Sequence, residues 1–247
     1  MINNYMAVVE YDGTGYSGFQ IQPGNVNTIQ GRLTEVFSKI LNEKIDFKYA
    51  GRTDAGVHAR HQVVNFYTNA ELDIYRIKWS VNSLLPDDIV VKEMKKVGPL
   101  FDARKDAILR EYSYYVVNKE YQSVFLKKYS ILVNKKLNIK LIKKAAKMFV
   151  GQKDFGSFCN PECLKDNTIR KVFRFTVRKT EDDLIIFKIA ANSFLYNMVR
   201  ILVGTLLEVG SGQRDLASIE VALNERNRNL AGAIVPAKGL FLTGVEY

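Results

Sequence analysis

Apolar residues along this chain recur with two different periods, and the switches between them lay out a run of short strands and helices. Met6 to Tyr11 is a nearly continuous apolar run that reads as a strand. Past a glycine-rich stretch, Ile29, Leu33, Val36, Phe37, Ile40 and Leu41 fall on one face of a helix, and Asn27 with Gln30 fits an N-cap box at its start. Ile45 to Ala50 and Gln62 to Tyr67 are short, β-branched or aromatic and partly alternating, which predicts two strands. A second amphipathic helix runs through Ile74, Ile77, Val81 and Leu84, and Pro86 stops it. Strand Ile89 to Met94 then closes a β-α-β-β-α-β order, the split βαβ arrangement.

The second half repeats this order more loosely. Strand Ala107 to Val117 leads to helix Asn138 to Val150, strands Val172 to Val177 and Leu184 to Ala190, helix Tyr196 to Val209 and a last strand near Leu240 to Val245. A short extra helix is expected at Leu216 to Asn224. The tandem divides into 1–104 and 105–247, and with no Pro/Ser-rich linker between the halves their sheets are free to join and form a groove.

Between the two middle strands of the first half lies Gly51-Arg52-Thr53-Asp54-Ala55-Gly56-Val57-His58-Ala59, polar and bracketed by glycines. A loop held between strands can carry reactive groups on rigid supports. Gly51 and Gly56 allow backbone angles or close approaches that a side chain would block, and they leave Arg52 and Asp54 between them. An isolated Asp-Ala-Gly is ordinarily just a turn. A polar, glycine-bracketed run of this length between apolar strands is harder to explain by folding alone.

Composition narrows the partner. With 247 residues, 47% of them hydrophobic, the chain can bury one large or two modest cores. Lys and Arg number 36 against 26 Asp and Glu, a net charge of +10 that favours a polyanion through counterion release. Lys140, Lys143, Lys144 and Lys147 line one face of the helix Asn138 to Val150, either as a solvated face or as an RNA-backbone contact. The first residues show no basic region leading into an apolar segment, and no apolar run approaches the roughly 18 residues that span a bilayer. A cytoplasmic protein with no membrane partner is therefore expected. Cys159 and Cys163 are too few for a disulfide framework or a convincing zinc site. His58 and His61 flank the polar loop, where a structural or substrate-facing role is favoured over a metal pair. No metal site is expected from the residues, and the absence of clustered ligands speaks against a metal-dependent nuclease.

The segment Gly51 to Gln62, GRTDAGVHAxxQ, closely resembles the signature of the TruA family of tRNA pseudouridine synthases. Tyr11-Asp12-Gly13-Thr14-Gly15-Tyr16-Ser17-Gly18-Phe19-Gln20 resembles that family's N-terminal block, and Arg110-Glu111-Tyr112-Ser113-Tyr114 its R-x-Y-x-Y strand. Asp154 to Phe158, Asn192 to Arg200 and Pro236 to Leu242 match later blocks in order, so the resemblance spans nearly the whole chain. It implies an α+β fold of two tandem ferredoxin-like (split βαβ) domains sharing a central antiparallel sheet with a basic cleft, working as a homodimer. The first domain would carry the catalytic Asp loop and the second would complete the active site. The implied substrate is RNA, in the first instance tRNA, at uridines on the 3′ side of the anticodon stem-loop, with the target base extruded.

The resemblance assigns roles residue by residue. Asp54 is the implied nucleophile; attack on the ribose, attack on the base and an assisted elimination are all open to it. The carboxylate must be ionised and shielded from water, which calls for a nearby cation. Arg200 is the only charge in the run Phe194 to Val203, and a guanidinium at an otherwise apolar helix entry needs a partner. In the resembled family the matching arginine pairs with the catalytic Asp. Tyr112 matches the active-site tyrosine, able to stack on uracil and take up the C5 proton. Arg110 shares its strand face and is a candidate backbone contact, while Tyr114 and Tyr115 read as core. Arg52 suits phosphate contact or the space left by a flipped base, and Leu240 matches a position lining the uracil pocket. Phe19 stands where Trp is common and His61 where a small residue is, so the RNA-facing rim departs from the usual pattern. Two other readings fit the same chain: the same isomerase acting on ribosomal RNA, and a non-catalytic RNA-binding or chaperone module. The joint presence of Asp54, Arg52, Tyr112 and Arg200 weighs against the second, since folding alone would not need that set.

Overall fold

A computed structural model describes residues 2–24, 27–165 and 167–247. The chain is α+β and forms two compact units, one running to Ile108 and including Phe241–Tyr247, the other Leu109–Leu240.

In the first unit the elements are β1 (Asn3–Tyr11), α1 (Ile29–Leu41), β2 (Phe47–Tyr49), β3 (His58–Thr68), α2 (Ile74–Leu84) and β4 (Ile89–Val97). The expected split βαβ order is present. β1 lies between β3 and β4, antiparallel to both, and β2 pairs antiparallel with the far end of β3. The strand order β4-β1-β3-β2 follows from the two crossovers. The core under α1 is aromatic: Phe37 meets Phe47 and Phe66 edge-on, each at 5.1 Å between ring centroids, and Tyr5 stacks on Phe66.

Two local expectations change. The N-cap of α1 is Thr28, whose hydroxyl accepts from Gly31 N at 3.2 Å. Asn27 is engaged elsewhere, accepting from Arg32 Nε and donating to the Gly15 carbonyl, and Gln30 turns its side chain to Ile21 N. β3 also begins at His58, earlier than alternation suggests, because its ladder with β1 runs as far as Tyr11 opposite Ala59. The end of the polar loop is therefore strand. As expected, α2 ends just before Pro86, where Leu85 is extended.

The second unit contains β5 (Leu109–Val117), β6 (Ile131–Leu132), α3 (Ile139–Met148), β7 (Gly151–Asp154), β8 (Ile169–Lys179), β9 (Leu184–Ala191), α4 (Met198–Gly210) and α5 (Ala217–Glu225). β9 lies between β5 and β8, antiparallel to both, which repeats the β1-β3-β2 order of the first unit. The short strands β6 and β7 are too brief to show a period, and they extend this sheet beside β5 and β8. α4 is apolar nearly all round and correspondingly buried. It starts at Met198 rather than Tyr196 because Asn197 is left-handed, at φ 63°.

The last strand, β10 (Leu240–Glu246), runs parallel to the start of β3, pairing Phe241 with His58 and Leu242 with Ala59. Ile108 N donates to the Glu246 carbonyl and Tyr247 Oη to the Ala103 carbonyl. These bonds group Phe241–Tyr247 with the first unit, whereas the division expected from sequence keeps all of 105–247 together. Among the described residues no helix is long and apolar enough to cross a membrane.

Candidate active site

Asp54 sits in the connection from β2 to β3, where the carbonyls of Gly51, Thr53 and Asp54 all accept hydrogen bonds. Gln62 Nε2 donates to the Gly51 carbonyl at 2.8 Å, and Tyr11 Oη lies 2.7 Å from Thr53 Oγ1. Phe19 N donates to the Thr53 carbonyl at 3.0 Å, and Val57 N closes a turn onto the Asp54 carbonyl at 3.1 Å. Gly56, at φ 74°, takes the third position of that turn, where a left-handed residue is needed. Thr53 and Val57 are buried, Asp54 is half-buried and Arg52 is exposed. The loop thus pins its ends and presents Arg52 and Asp54 between them.

The segment Tyr11 to Gln20 is the floor of this loop. A Cβ on Gly13 would stand 2.1 Å from the Val57 carbonyl oxygen, and one on Gly18 would stand 2.8 Å from that of Thr53. Both glycines are there because backbone lies against backbone. Gly13 N donates to His58 Nδ1 at 3.1 Å, and the buried His58 ring stacks on Phe241 at 4.5 Å. His58 is therefore a structural clamp between floor, loop and β10. His61 is half-buried, and burial together with the Lys92 charge holds its pKa below the usual histidine range. Burial raises the Tyr11 pKa, with its bonds to Thr53 and Gln62 acting in the opposite sense, so the phenol stays protonated. The motif resemblance marks the Tyr11 to Gln20 block without giving it a job. Its glycine spacing is the one signal in the sequence that could have done so.

In the second unit three of the matching blocks converge. Tyr112 on β5 is buried, its ring edge-on to Phe194 at 5.1 Å. Tyr114, two residues on, is fully buried and donates to the Pro236 carbonyl at 2.6 Å. Burial raises its pKa, and the Arg200 charge pulls against that rise. Arg200 lies in the first turn of α4, half-buried, donating from Nε to the Val235 carbonyl at 2.8 Å and from Nη1 to Asn197 Oδ1 at 3.0 Å. The left-handed Asn197 thus helps to aim the guanidinium. Leu240 is buried at the end of the same Val235–Leu240 segment. Tyr112 is thus held by a packed ring and Arg200 by two hydrogen bonds, while Leu240 is held by burial.

The basic candidates separate. Lys140, Lys143, Lys144 and Lys147 are all exposed on α3, whose Ile142, Ala145 and Ala146 face inward. Arg110 is different: it is buried, and Nη1 donates to the Asn192 carbonyl at 2.8 Å. A guanidinium enclosed in this way supports the end of its strand. Among the described residues no group of three or more His, Cys, Asp or Glu side chains could hold a metal ion.

A family described as tRNA pseudouridine synthase matches residues 7–105 and 145–247, stretches that include Asp54, Arg200 and Leu240. The tRNA pseudouridine synthase A 2 of Bacillus cereus (strain ZK / E33L) is 39% identical over 246 residues, covering 100% of both chains. The tRNA pseudouridine synthase A of Thermoanaerobacter sp. (strain X514) is 41% identical over 246 residues, again covering 100% of each. A solved H/ACA RNP bound to a substrate RNA is a distant likeness, at 15% identity and TM-score 0.39, over 96% of this chain and 59% of that one. The family match and the full-length relatives together show that the chain belongs to the TruA family of tRNA pseudouridine synthases and isomerises uridine to pseudouridine in tRNA.

Proposed function

We propose that the reaction is carried by Asp54, Tyr112 and Arg200, with Arg52 and Leu240 contacting the substrate, on uridines at the 3′ side of the tRNA anticodon stem-loop. Isomerisation breaks the N1–C1′ bond, turns the uracil, joins C5 to C1′ and removes the C5 proton. No electron is gained or lost overall and no group is added, so we assign no metal or cofactor to it. Asp54 is the carboxylate that meets the developing charge, and the family resemblance assigns Arg200 as the cation of the site. Tyr112, buried against Phe194, offers a ring on which an extruded base can replace its lost stacking. Arg52 is exposed beside Asp54 and keeps its charge for phosphate or for the vacated base position. The protein is read as a cytoplasmic homodimer.

The observation that carries this reading is the construction of the Asp54 loop. Its carbonyls and hydroxyl are fixed from Tyr11, Phe19 and Gln62, and two glycines let the floor close on it. An ordinary surface turn needs none of this; a carboxylate that must be held in one position does.

Carbodiimide mapping of pseudouridine tests the proposal, on unmodified bulk tRNA and separately on ribosomal RNA. The expected result is modification in the anticodon arm by wild type, lost in Asp54→Ala while tRNA affinity stays near normal. Turnover retained in Asp54→Ala would remove the nucleophile assignment. Modification confined to ribosomal RNA would keep the chemistry and overturn the target.

A further inference from the structure

The loop joining β5 to β6 lies between the two stretches that match the family, 7–105 and 145–247. It is built, not loose. Asn118 Nδ2 donates to the Val133 and Lys135 carbonyls, both at 2.8 Å, and Gln122 Nε2 donates to Ser130 Oγ at 3.0 Å. The buried Ser130 hydroxyl donates in turn to the Leu126 carbonyl at 2.8 Å. Backbone turns close the tip, Leu126 N onto Ser123 O and Tyr129 N onto Leu126 O.

What this scaffold holds out is apolar. Phe125 is 86% exposed, Val124 79% and Tyr121 72%. A phenylalanine held on a bonded turn with most of its ring in water contributes little to folding. The same loop carries Lys127 and Lys128, both exposed, and the half-buried Lys119, with Glu120 the only acid between Asn118 and Ser130. Lys238 Nζ donates to the Lys127 carbonyl at 3.1 Å. That bond ties the loop to the segment whose Val235 and Pro236 carbonyls accept from Arg200 and Tyr114.

We propose that this loop is a stacking platform for the substrate tRNA: Phe125, with Tyr121 on the same loop, stacks on an unpaired base while Lys127 and Lys128 hold the flanking phosphates. Aromatic faces interleaved with cations are the chemistry that binds unpaired nucleotides, because every base has a π-face and every linkage a negative charge. A purely apolar partner would bury the lysines against nothing. The proposal rests on the reading that the chain acts on tRNA, and it adds a binding element outside the Asp54, Tyr112 and Arg200 set.

The test uses the full chain and an unmodified tRNA transcript. Phe125→Ala should raise both Kd and KM by about 5- to 150-fold, the range for one lost base stack, with kcat at saturating tRNA held. Phe125→Trp should restore both. Trp79, on α2, is the only tryptophan, so Phe125→Trp in a Trp79→Phe background places a single reporter on the loop. Its fluorescence should be quenched on tRNA addition. Unchanged Kd and KM in Phe125→Ala, with wild type forming pseudouridine normally, overturns the platform and leaves the family reading intact. Unchanged tRNA affinity with an altered sedimentation coefficient also overturns it, and marks the loop as a contact between copies. Wild-type protein that forms no pseudouridine in tRNA overturns the reading that the chain acts on tRNA, and the platform with it.

Discussion

Asp54 owes its position to residues with no chemistry of their own. Gly18 has φ 99° and would place a Cβ 2.8 Å from the Thr53 carbonyl oxygen, so Gly18→Ala adds backbone strain and a collision one residue from the carboxylate. We expect a cost of about 1 to 3 kcal/mol and a fall in Tm of roughly 2 to 12 °C for a chain of this size. Turnover should fall further than stability explains, because the displaced group is the reactive one. Unchanged Tm and kcat would mean the floor does not position the loop. The motif resemblance makes Asp54 legible in the sequence, and the glycines with it. The direction of their contacts is not legible there, since a close approach between residues 18 and 53 leaves no periodic trace.

At the scale of elements, the second sheet is tied by a charge row across three strands. Glu111 on β5 lies opposite Ala190 on β9, which lies opposite Arg174 on β8. Ala190 is small enough for the Glu111 carboxylate to reach over it to Arg174, and Lys188 on β9 adds a second bond at 2.8 Å. Burial pushes the Glu111 pKa up, but the bonds to Lys188 and Arg174 outweigh it and hold the group below the usual glutamate range. A depressed folded pKa means stability that is full above the ordinary carboxylate range and lost as pH falls through it. Wild-type Tm should therefore decline on acidification below about pH 4.3. Glu111→Gln should flatten that decline and cost about 1 to 2 kcal/mol at neutral pH, the partners being half-exposed. An identical acid profile in the variant would remove the charge row as a source of stability.

For the molecule as a whole, the relevant quantity is a net charge of +10 spread over the surface with one concentration on α3. Affinity for tRNA should fall linearly on a log–log plot against salt, and a flat response would remove the basic-surface argument. Replacing Lys140, Lys143, Lys144 and Lys147 by Ala should lower the slope by about 0.7 to 0.9 for each phosphate that these lysines neutralise. An unchanged slope would identify the α3 face as merely solvated.

The sequence by itself determined the order of strands and helices, the polar loop between β2 and β3, the basic balance and, through its motifs, the family. Each of these is written in consecutive residues: periodicities of two and 3.6, a glycine bracket, a charge count. Only tertiary structure decided that Thr28 and not Asn27 caps α1, because Asn27 is claimed by Arg32 and Gly15. It also extended β3 to His58 through pairing with β1, buried Arg110 against Asn192, and grouped Phe241–Tyr247 with the first unit. These outcomes turn on partners that stand many residues away or compete for the same side chain. Only the folded chain brings those partners within hydrogen-bonding distance.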